Sequence, residues 1–282
     1  MNTVARIAEM QAAADHWRAA GKRIGFVPTM GYLHEGHLSL IRKAHTLSDL
    51  VVASIFVNPS QFGPNEDLDS YPRDLERDLA LCREHDVEVV FTPDVADMYP
   101  EQYSTWVDEE ALSRPLCGAS RPGHFRGVAT VVAKLLLAVK PHVAVFGQKD
   151  AQQALVIQRM TRDLNFDTTI AVAPIIRETD GLAMSSRNQY LSADERRRAT
   201  AIYKGLTRAL NAFQNGEPRP DRLAGVVANA IRNAGGTIDY VELRSRFTLE
   251  PLERVTEPAL LAAAAWFGKT RLIDNVFLDH KE

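Results

Sequence analysis

The chain has few cysteines, no long apolar segment and no excess of charge of one sign. Its two cysteines, Cys82 and Cys117, exclude a disulfide framework or a cysteine-based zinc cluster and fit a reducing, cytoplasmic compartment. The longest apolar run, Ala259–Phe267, is far too short to cross a bilayer, and charges interrupt the first twenty residues, so no signal peptide is predicted. A formal net charge of −3 gives no general affinity for nucleic acid or an anionic membrane.

Length and patterning indicate a globular protein of about two domains. Hydrophobic residues make up 45% of the 282 residues and charged residues 24%, which is ordinary globular composition. Through the first 175 residues, β-branched apolar runs alternate with helical patterns, which predicts a Rossmann-like parallel sheet with helices on both faces. Beyond residue 192, two helical patterns precede three strand-like runs, which predicts a smaller α+β unit at residues 193–214, 219–233, 237–244, 259–267 and 270–278.

The most informative stretch is V-P-T-M-G-Y-L-H-E-G-H, residues 27–37, which we call the histidine loop. It follows the first strong strand pattern and opens a helical pattern. His34 and His37 are three positions apart, so they share one face of the first helical turn, and Gly36 removes a side chain where a phosphate would approach. Free amide groups at a helix N-terminus favour anions, so this placement favours a phosphate site over two surface histidines.

The next strand pattern ends in the loop N-P-S-Q-F-G-P-N, residues 58–65. Its position at the carboxyl end of a parallel strand places it on the same edge of the predicted sheet as His34. Asn58 and Gln61 both donate and accept hydrogen bonds, which suits a ligand that carries hydroxyl and carboxylate groups. Ordinary turn polarity is the alternative interpretation.

A third strand pattern ends in G-Q-K-D, residues 147–150. Gly147 allows a ligand to come close, and Lys149 supplies a point charge for a phosphate. Asp150 either holds a ribose hydroxyl or caps the helix that follows. Gln152 and Gln153 lie on the first turn of that helix, where only one of them faces the predicted cleft.

The segment G-L-A-M-S-S-R-N, residues 181–188, is called the serine–arginine loop below. Ser185, Ser186 and Arg187 place two hydroxyls and a guanidinium on consecutive residues, which suits a mobile loop that wraps a polyphosphate. The change in composition places a domain boundary near residues 175–190, at this loop.

Three features of the sequence are suited to stabilising the negative charge that develops when a nucleoside triphosphate is attacked at its α-phosphorus. They are the histidine pair, Lys149 and the serine–arginine loop. The chain contains no P-loop, no G-x-S-x-G elbow, no H-E-x-x-H motif and no dinucleotide fingerprint. Nucleotidyl transfer or adenylation is therefore the reaction class that the residues favour.

Together these motifs resemble the pantothenate synthetase family, also named pantoate–β-alanine ligases, within the wider HxGH nucleotidylyltransferase superfamily. The resemblance spans nearly the whole chain. It rests on H-E-G-H at 34–37, N-P-S-Q-F at 58–62, R-P-G-H-F-R-G at 121–127, G-Q-K-D at 147–150 with Gln153, and M-S-S-R-N at 184–188.

This resemblance implies an AMP-forming ligase that joins (R)-pantoate to β-alanine through a pantoyl adenylate, with ATP as substrate and Mg²⁺. It also implies a homodimer with no nucleic-acid or membrane partner. We expect residues 1–176 to form the Rossmann-like domain that binds nucleotide and pantoate. Residues 177–282 are expected to form the smaller α+β domain, which closes as a lid.

The family pattern also implies the residues of the site. Catalytic roles fall to His37, His34 and Lys149, with His37 as the acid. The implied ATP contacts are Met30, Gly31, His34, His37, Gly147, Lys149, Asp150, Ile176, Met184, Ser185, Ser186 and Arg187. Pantoate and β-alanine are implied to contact Gln61, Gln153 and Asn58.

Some assignments remain open in the sequence. Mg²⁺ needs few protein ligands when it is bound to phosphates, so no metal ligand is assigned. Asp78 is a candidate, but a solvated helix carboxylate is the favoured interpretation. Arg121, His124 and Arg126 form either an anion-facing lid or a solvated basic turn. Another HxGH-type adenylyltransferase and a nucleotide sensor without turnover are the alternatives to the ligase.

Overall fold

The structure is a computed structural model that describes residues 1–64 and 66–279, and it contains two compact units. The first unit consists of Met1–Ser113, Arg121–Gln148 and Gln153–Pro174. Arg114–Ser120, Lys149–Gln152 and the chain from Ile175 onward make up the second unit. Two short internal segments thus belong with the second unit, whereas the sequence suggested a single cut after residue 176.

A six-stranded parallel sheet forms the centre of the first unit, which confirms the predicted α/β class. In chain order, strands β1 to β6 are Asn2–Val4, Ile24–Thr29, Leu50–Ile55, Val89–Phe91, Val143–Gly147 and Thr169–Ala173. They lie side by side in the order β1-β4-β3-β2-β5-β6. The short β1 was not predicted, because three residues are too few to show a period of two.

Helices cover both faces of this sheet. In chain order, helices α1 to α7 are Ile7–Ala19, Glu35–His45, Leu75–Glu84, Val95–Met98, Cys117–Ser120, His124–Val139 and Ala151–Asp163. Of these, α5 belongs to the second unit and is not one of the helices that cover the sheet. Neighbouring strand residues point to opposite faces, and Val27 of β2 packs with Ile41 and Ala44 of α2. On the other face, α1 and α6 contact each other and β2, where Phe26 is fully buried.

An antiparallel three-stranded sheet and three helices make up most of the second unit. Helices α8 to α10 are Ala193–Ala199, Ala201–Gln214 and Pro220–Asn233; strands β7 to β9 are Thr237–Ser245, Ala259–Phe267 and Thr270–Leu278. The strands lie in the order β7-β8-β9. The core of this unit is apolar, with Ile202, Leu206 and Val227 of the helices packed against the sheet.

These elements match the α+β pattern predicted for the end of the chain, and the last two strands form the expected hairpin. The single helix expected over residues 193–214 is divided at Thr200, whose hydroxyl donates to the Arg197 carbonyl. Among the described residues, no helix is both long and apolar enough to cross a membrane.

Candidate active site

The histidine loop leaves β2 through a turn with two consecutive residues in the left-handed region. Gly31 has φ +83° and Tyr32 has φ +50°. A side chain at Gly31 would come within 3.0 Å of the Asp78 carboxylate and Ile55, so glycine is required there for conformation and for space. The turn aims the amide groups of Tyr32 and Leu33 at one carboxylate, Asp78, at 2.6 and 2.7 Å.

Asp78 corrects the interpretation of a solvated helix carboxylate. It lies on α3, yet it is only 1% exposed, and its two oxygens each accept one of these backbone hydrogen bonds. Burial raises the pKa of Asp78, while the amide hydrogen bonds from Leu33 and Tyr32 and the nearby Arg77 act in the opposite direction. Its structural role depends on contact with a loop 45 or 46 residues away, which a local helical pattern does not reveal.

The two histidines begin α2 and hold each other in place. His34 is the N-cap residue, and its Nδ1 accepts a hydrogen bond from the Gly36 amide at 3.1 Å. His37 Nδ1 accepts one from the His34 amide at 3.3 Å, which completes a reciprocal capping box. The ring centroids are 4.1 Å apart. Because Nδ1 is the acceptor in both rings, this network assigns the hydrogen of each neutral ring to Nε2.

Met30, Gln61 and Asn58 come together beside the histidine loop in the first unit. Gln61 donates to Met30 Sδ at 3.1 Å and accepts from Asn58 Nδ2 at 3.1 Å. Asn58 is 1% exposed, and its amide also donates to the Gly127 carbonyl. Its oxygen accepts from the hydroxyls of Ser60 and Tyr99. The Asn58 amide therefore donates two hydrogen bonds inside the protein, one of them to Gln61.

The basic side chains of the loop at residues 121–127 contact other groups of the protein, while Pro122, Gly123 and Arg126 are exposed. Arg121 forms a two-pronged ion pair with Glu66 at 2.6 and 2.5 Å. His124 Nδ1 lies 2.9 Å from the Gln61 carbonyl oxygen. Burial raises the pKa of Glu66, but the hydrogen bond and charge of Arg121 outweigh it, so this pKa is lowered overall. Arg126 stacks over Trp106 at 5.0 Å.

Gly147 ends β5, and a side chain built there would meet nothing within 4 Å. A single 3₁₀ turn, Gln148–Asp150, follows and leads directly into α7, so Asp150 immediately precedes the first residue of that helix. Gln153 is half-buried on the first turn of α7, whereas Gln152 is buried and faces the protein.

In the second unit, the serine–arginine loop is the continuation of a small hairpin. Residues 175–177 form no strand: Arg177 makes an isolated bridge to Ala183, and the Met184 amide donates to the Ile176 carbonyl at 3.0 Å. Ser185 then caps a 3₁₀ turn, Ser186–Tyr190, by accepting from the Arg187 amide. Asn188 donates to the Ala183 carbonyl, which fastens the loop to its hairpin.

Strand β9 holds this hairpin and Lys149 in the same unit. Asp274 pairs with Arg177 through two hydrogen bonds, at 2.6 and 3.0 Å, and the Arg177 guanidinium lies 4.2 Å from the centre of the Tyr203 ring. Asn275 donates its side-chain amide to the Lys149 carbonyl at 3.1 Å. Sequence patterning did not identify Asp274 or Asn275, because both lie in an apolar strand and meet their partners only through tertiary folding.

No group of three or more histidine, cysteine, aspartate or glutamate side chains in the described parts of the chain is arranged to hold a metal ion. The carboxylate of Asp78, the sequence candidate, already accepts two amide hydrogen bonds. The described residues therefore do not fit a resident metal site built from three or more of these side chains.

A protein-family model described as pantoate-beta-alanine ligase matches residues 2–277. The chain belongs to the pantoate-β-alanine ligase family. It is 54% identical over 279 residues to a pantothenate synthetase of Thermotoga neapolitana, covering 99% of this chain and all of the relative. It is 55% identical over 273 residues to the pantothenate synthetase of Pelotomaculum thermopropionicum, with 96% and 97% covered.

Solved structures of the family agree with the fold. The crystal structure of pantothenate synthetase from Thermus thermophilus superposes with a TM-score of 0.94 at 45% identity, covering 99% of this chain and 100% of that one. A Francisella tularensis ligase complexed with beta-gamma ATP and β-alanine gives a TM-score of 0.83 at 34% identity, with 100% and 99% covered. Family membership confirms the predicted AMP-forming ligase, while the roles of individual residues remain predictions.

Proposed function

We propose that this ligase condenses (R)-pantoate with β-alanine by means of the residues that the histidine loop and the serine–arginine loop present. The reaction consumes ATP and gives pantothenate, AMP and pyrophosphate through a pantoyl adenylate. The observation that carries the assignment is the reciprocal cap of His34 and His37, which fixes both rings with Nε2 as the hydrogen-bearing atom.

Adenylation comes first in this proposal. A pantoate carboxylate oxygen attacks the α-phosphorus, the bond from that phosphorus to the bridging oxygen breaks, and pyrophosphate leaves with the electron pair. His34 and His37 donate hydrogen bonds to phosphate oxygens through Nε2, with His37 as the acid, and Lys149 supplies positive charge. No enzyme nucleophile is needed, so alignment and charge stabilisation account for the rate.

Amide formation follows. The uncharged amine of β-alanine attacks the carbonyl carbon of the adenylate, the carbon–oxygen bond to AMP breaks, and AMP leaves while the amine loses a proton. We assign pantoate and β-alanine to Gln61 and Gln153, and we assign Asn58 to holding Gln61. The shared network of Met30, Gln61 and Asn58 supports this division of roles.

The full set of ATP contacts is proposed from the family pattern, and it is compatible with the local geometry in each unit. Gly147 leaves room for a ligand, and the backbone of Ile176 already pairs with Met184 at the base of the serine–arginine loop. The proposed contacts are Met30, Gly31, His34, His37, Gly147, Lys149, Asp150, Ile176, Met184, Ser185, Ser186 and Arg187. Mg²⁺ enters as the counterion of ATP and neutralises phosphate charge.

Three further properties are part of the proposal. Residues 177–282 act as a lid domain over a nucleotide-binding domain of residues 1–176. The protein works as a homodimer in the cytoplasm, where its two free, buried cysteines stay reduced. Light scattering would test the dimer.

Hydrogen exchange at residues 184–188 should slow when ATP is added, and equal exchange with and without ATP would count against the lid.

Separate assays of the two half-reactions test the site assignment. Pantoate should drive exchange of labelled pyrophosphate into ATP, and AMP should be released only when β-alanine is added. His37→Ala and Lys149→Ala should each lower the exchange rate by about 10²- to 10⁴-fold while ATP binding changes much less. His45→Ala, at the exposed end of the same helix, is the matched control. Intact exchange in both site variants would overturn the assignment.

A further inference from the structure

Lys149 follows β5 of the first unit in sequence but belongs to the second unit by its contacts. Two side chains of the second unit hold the segment Lys149–Gln152. At its end, buried Gln152 donates to the Pro115 carbonyl at 2.6 Å and accepts from the Cys117 amide at 3.0 Å. At its start, Asn275 donates to the Lys149 carbonyl at 3.1 Å. The backbone that carries the lysine is therefore fixed at both ends.

Asn275 is itself held firmly. It is 3% exposed on β9, and its own backbone amide donates to Asp274 Oδ1 at 2.8 Å. A buried asparagine that donates to a carbonyl loses that hydrogen bond if it is shortened or made apolar, and the carbonyl then loses a partner. A displaced carbonyl moves the adjacent Cα and with it the lysine side chain.

The neighbouring residue on β9 reaches the other phosphate-facing element. Asp274 is 4% exposed and holds Arg177 through two hydrogen bonds. Arg177 in turn donates to the Gly181 carbonyl and bridges to Ala183, and both of these residues belong to the first half of the serine–arginine loop. Two consecutive residues of β9 therefore act as anchors: Asp274 holds the serine–arginine loop through Arg177, and Asn275 holds Lys149.

We propose that Asn275 is a positioning residue for Lys149. Together with its neighbour Asp274, it holds Lys149 and the serine–arginine loop in one fixed arrangement for ATP. The inference rests on the proposed function of Lys149. In this proposal Asn275 contacts no substrate and acts through the Lys149 backbone.

The consequence is specific to one half-reaction. Lys149 is proposed to act on the triphosphate, and the triphosphate is gone once pyrophosphate has left. A misplaced lysine should therefore slow adenylation and leave the attack of β-alanine on preformed pantoyl adenylate nearly unchanged. Loss of folded protein would lower both half-reactions by the same factor, so the ratio of the two rates separates positioning from general destabilisation.

The test uses the full chain with two substitutions at Asn275. Asn275→Asp keeps the shape and replaces the donor with a carboxylate, while Asn275→Leu removes the donor without adding charge and serves if the aspartate variant does not fold. Each is expected to lower pantoate-dependent pyrophosphate exchange by about 10- to 100-fold, the size that a small misplacement of a catalytic group produces. Single-turnover aminolysis of added pantoyl adenylate should stay within about twofold.

Matched variants make the result decisive. Thr270→Val replaces another buried polar side chain of β9 with one of equal shape and should leave both half-reactions unchanged. Lys149→Ala should reproduce the selective loss. If Lys149→Ala lowers exchange and the Asn275 variants do not, or if they lower both half-reactions equally, the positioning role is wrong. If Lys149→Ala itself leaves exchange intact, the proposed function of Lys149 fails and the inference falls with it.

Discussion

The histidine loop and the serine–arginine loop are both fastened by a buried aspartate from a distant part of the chain, but the two carboxylates are compensated differently. Asp78 accepts two peptide amides, and its nearest cation, Arg77, lies 3.8 Å away with a side chain that is 46% exposed. Asp274 is paired directly with Arg177, and the side chains of this ion pair are only 3% and 18% exposed.

The difference matters because the two anchors fail differently. A carboxylate that accepts amide hydrogen bonds can be replaced by a neutral amide of equal shape, which still accepts one of them. A buried ion pair that loses one partner leaves the other charge without compensation, and this costs more than the lost hydrogen bonds alone. The first anchor should therefore tolerate substitution better than the second.

The largest expected effect is at Asp274. Asp274→Ala leaves the largely enclosed Arg177 guanidinium, 18% exposed, without its carboxylate and should lower the free energy of unfolding by about 3 kcal/mol. Asp279→Ala removes a carboxylate from an exposed pair with Arg246 and should cost about 1 kcal/mol or less. Urea unfolding of the three proteins gives the values. Equal destabilisation by the two substitutions would remove the distinction between the anchors.

A smaller loss of stability, accompanied by a loss of rate, is expected at Asp78. Asp78→Asn keeps the shape but turns an amide toward one of the two backbone donors, which should lower the free energy of unfolding by about 1–3 kcal/mol. Because the same bonds set the approach to His34, pyrophosphate exchange should fall by about 10- to 100-fold. Glu76→Gln on the exposed face of α3 is the control. A stable Asp78→Asn variant with full exchange activity would show that the loop holds itself.

Two glycines sharpen the same comparison, since one is confined by the protein and the other faces open space. Gly31→Ala must adopt φ +83° and press on Asp78, so the free energy of unfolding should drop by about 1–2 kcal/mol. Gly147→Ala meets nothing within 4 Å and should change stability by about 0.5 kcal/mol or less, while raising the KM for ATP. If Gly147→Ala leaves that KM unchanged, ATP does not approach Gly147 closely.

The sequence predicted the elements of both units well because their signals are local. Strand and helical patterns located β2, β3, β5 and α2, and they placed the histidine loop at the turn from a strand to a helix. Family motifs also indicated the reaction. These features depend on residues within a few positions of each other.

The supporting residues could not be predicted, because they act across long sequence separations. Asn275 meets Lys149 across 126 positions, and Asp274 meets Arg177 across 97. Asn58 is a further residue whose surroundings the local sequence does not reveal. Its polarity suggested a ligand contact, and the structure shows in addition that it is buried and hydrogen-bonded to Gly127 and Tyr99. Polarity in a sequence does not distinguish a side chain that faces a ligand from one that faces the protein.

The smallest expected effect is at His142. This residue lies near the starts of β2 and β5, whereas the histidine loop and Gly147 lie at the other ends of these strands. His142, just before β5, accepts the Ile24 amide on Nδ1 at 2.9 Å, which holds the start of β2. Burial lowers the pKa of His142, Arg18 and Arg23 lower it further, and Asp167 and Asp49 oppose them. The unfolded chain therefore binds the proton more readily, so this contribution to stability is complete above the ordinary value of 6.5 and is lost as pH falls below it.

A single titrating group changes the free energy of unfolding by at most about 1.4 kcal/mol per pH unit. Partial exposure of the His142 ring should keep its effect below that limit. His142→Asn supplies an uncharged acceptor for the same amide, so the loss of unfolding free energy between about pH 8 and about pH 5.5 should be smaller in this variant than in the parent. Pyrophosphate exchange at the higher pH should be equal in both, because the histidine loop lies at the other end of β2. An unchanged pH dependence of stability would mean that His142 is not the group that titrates.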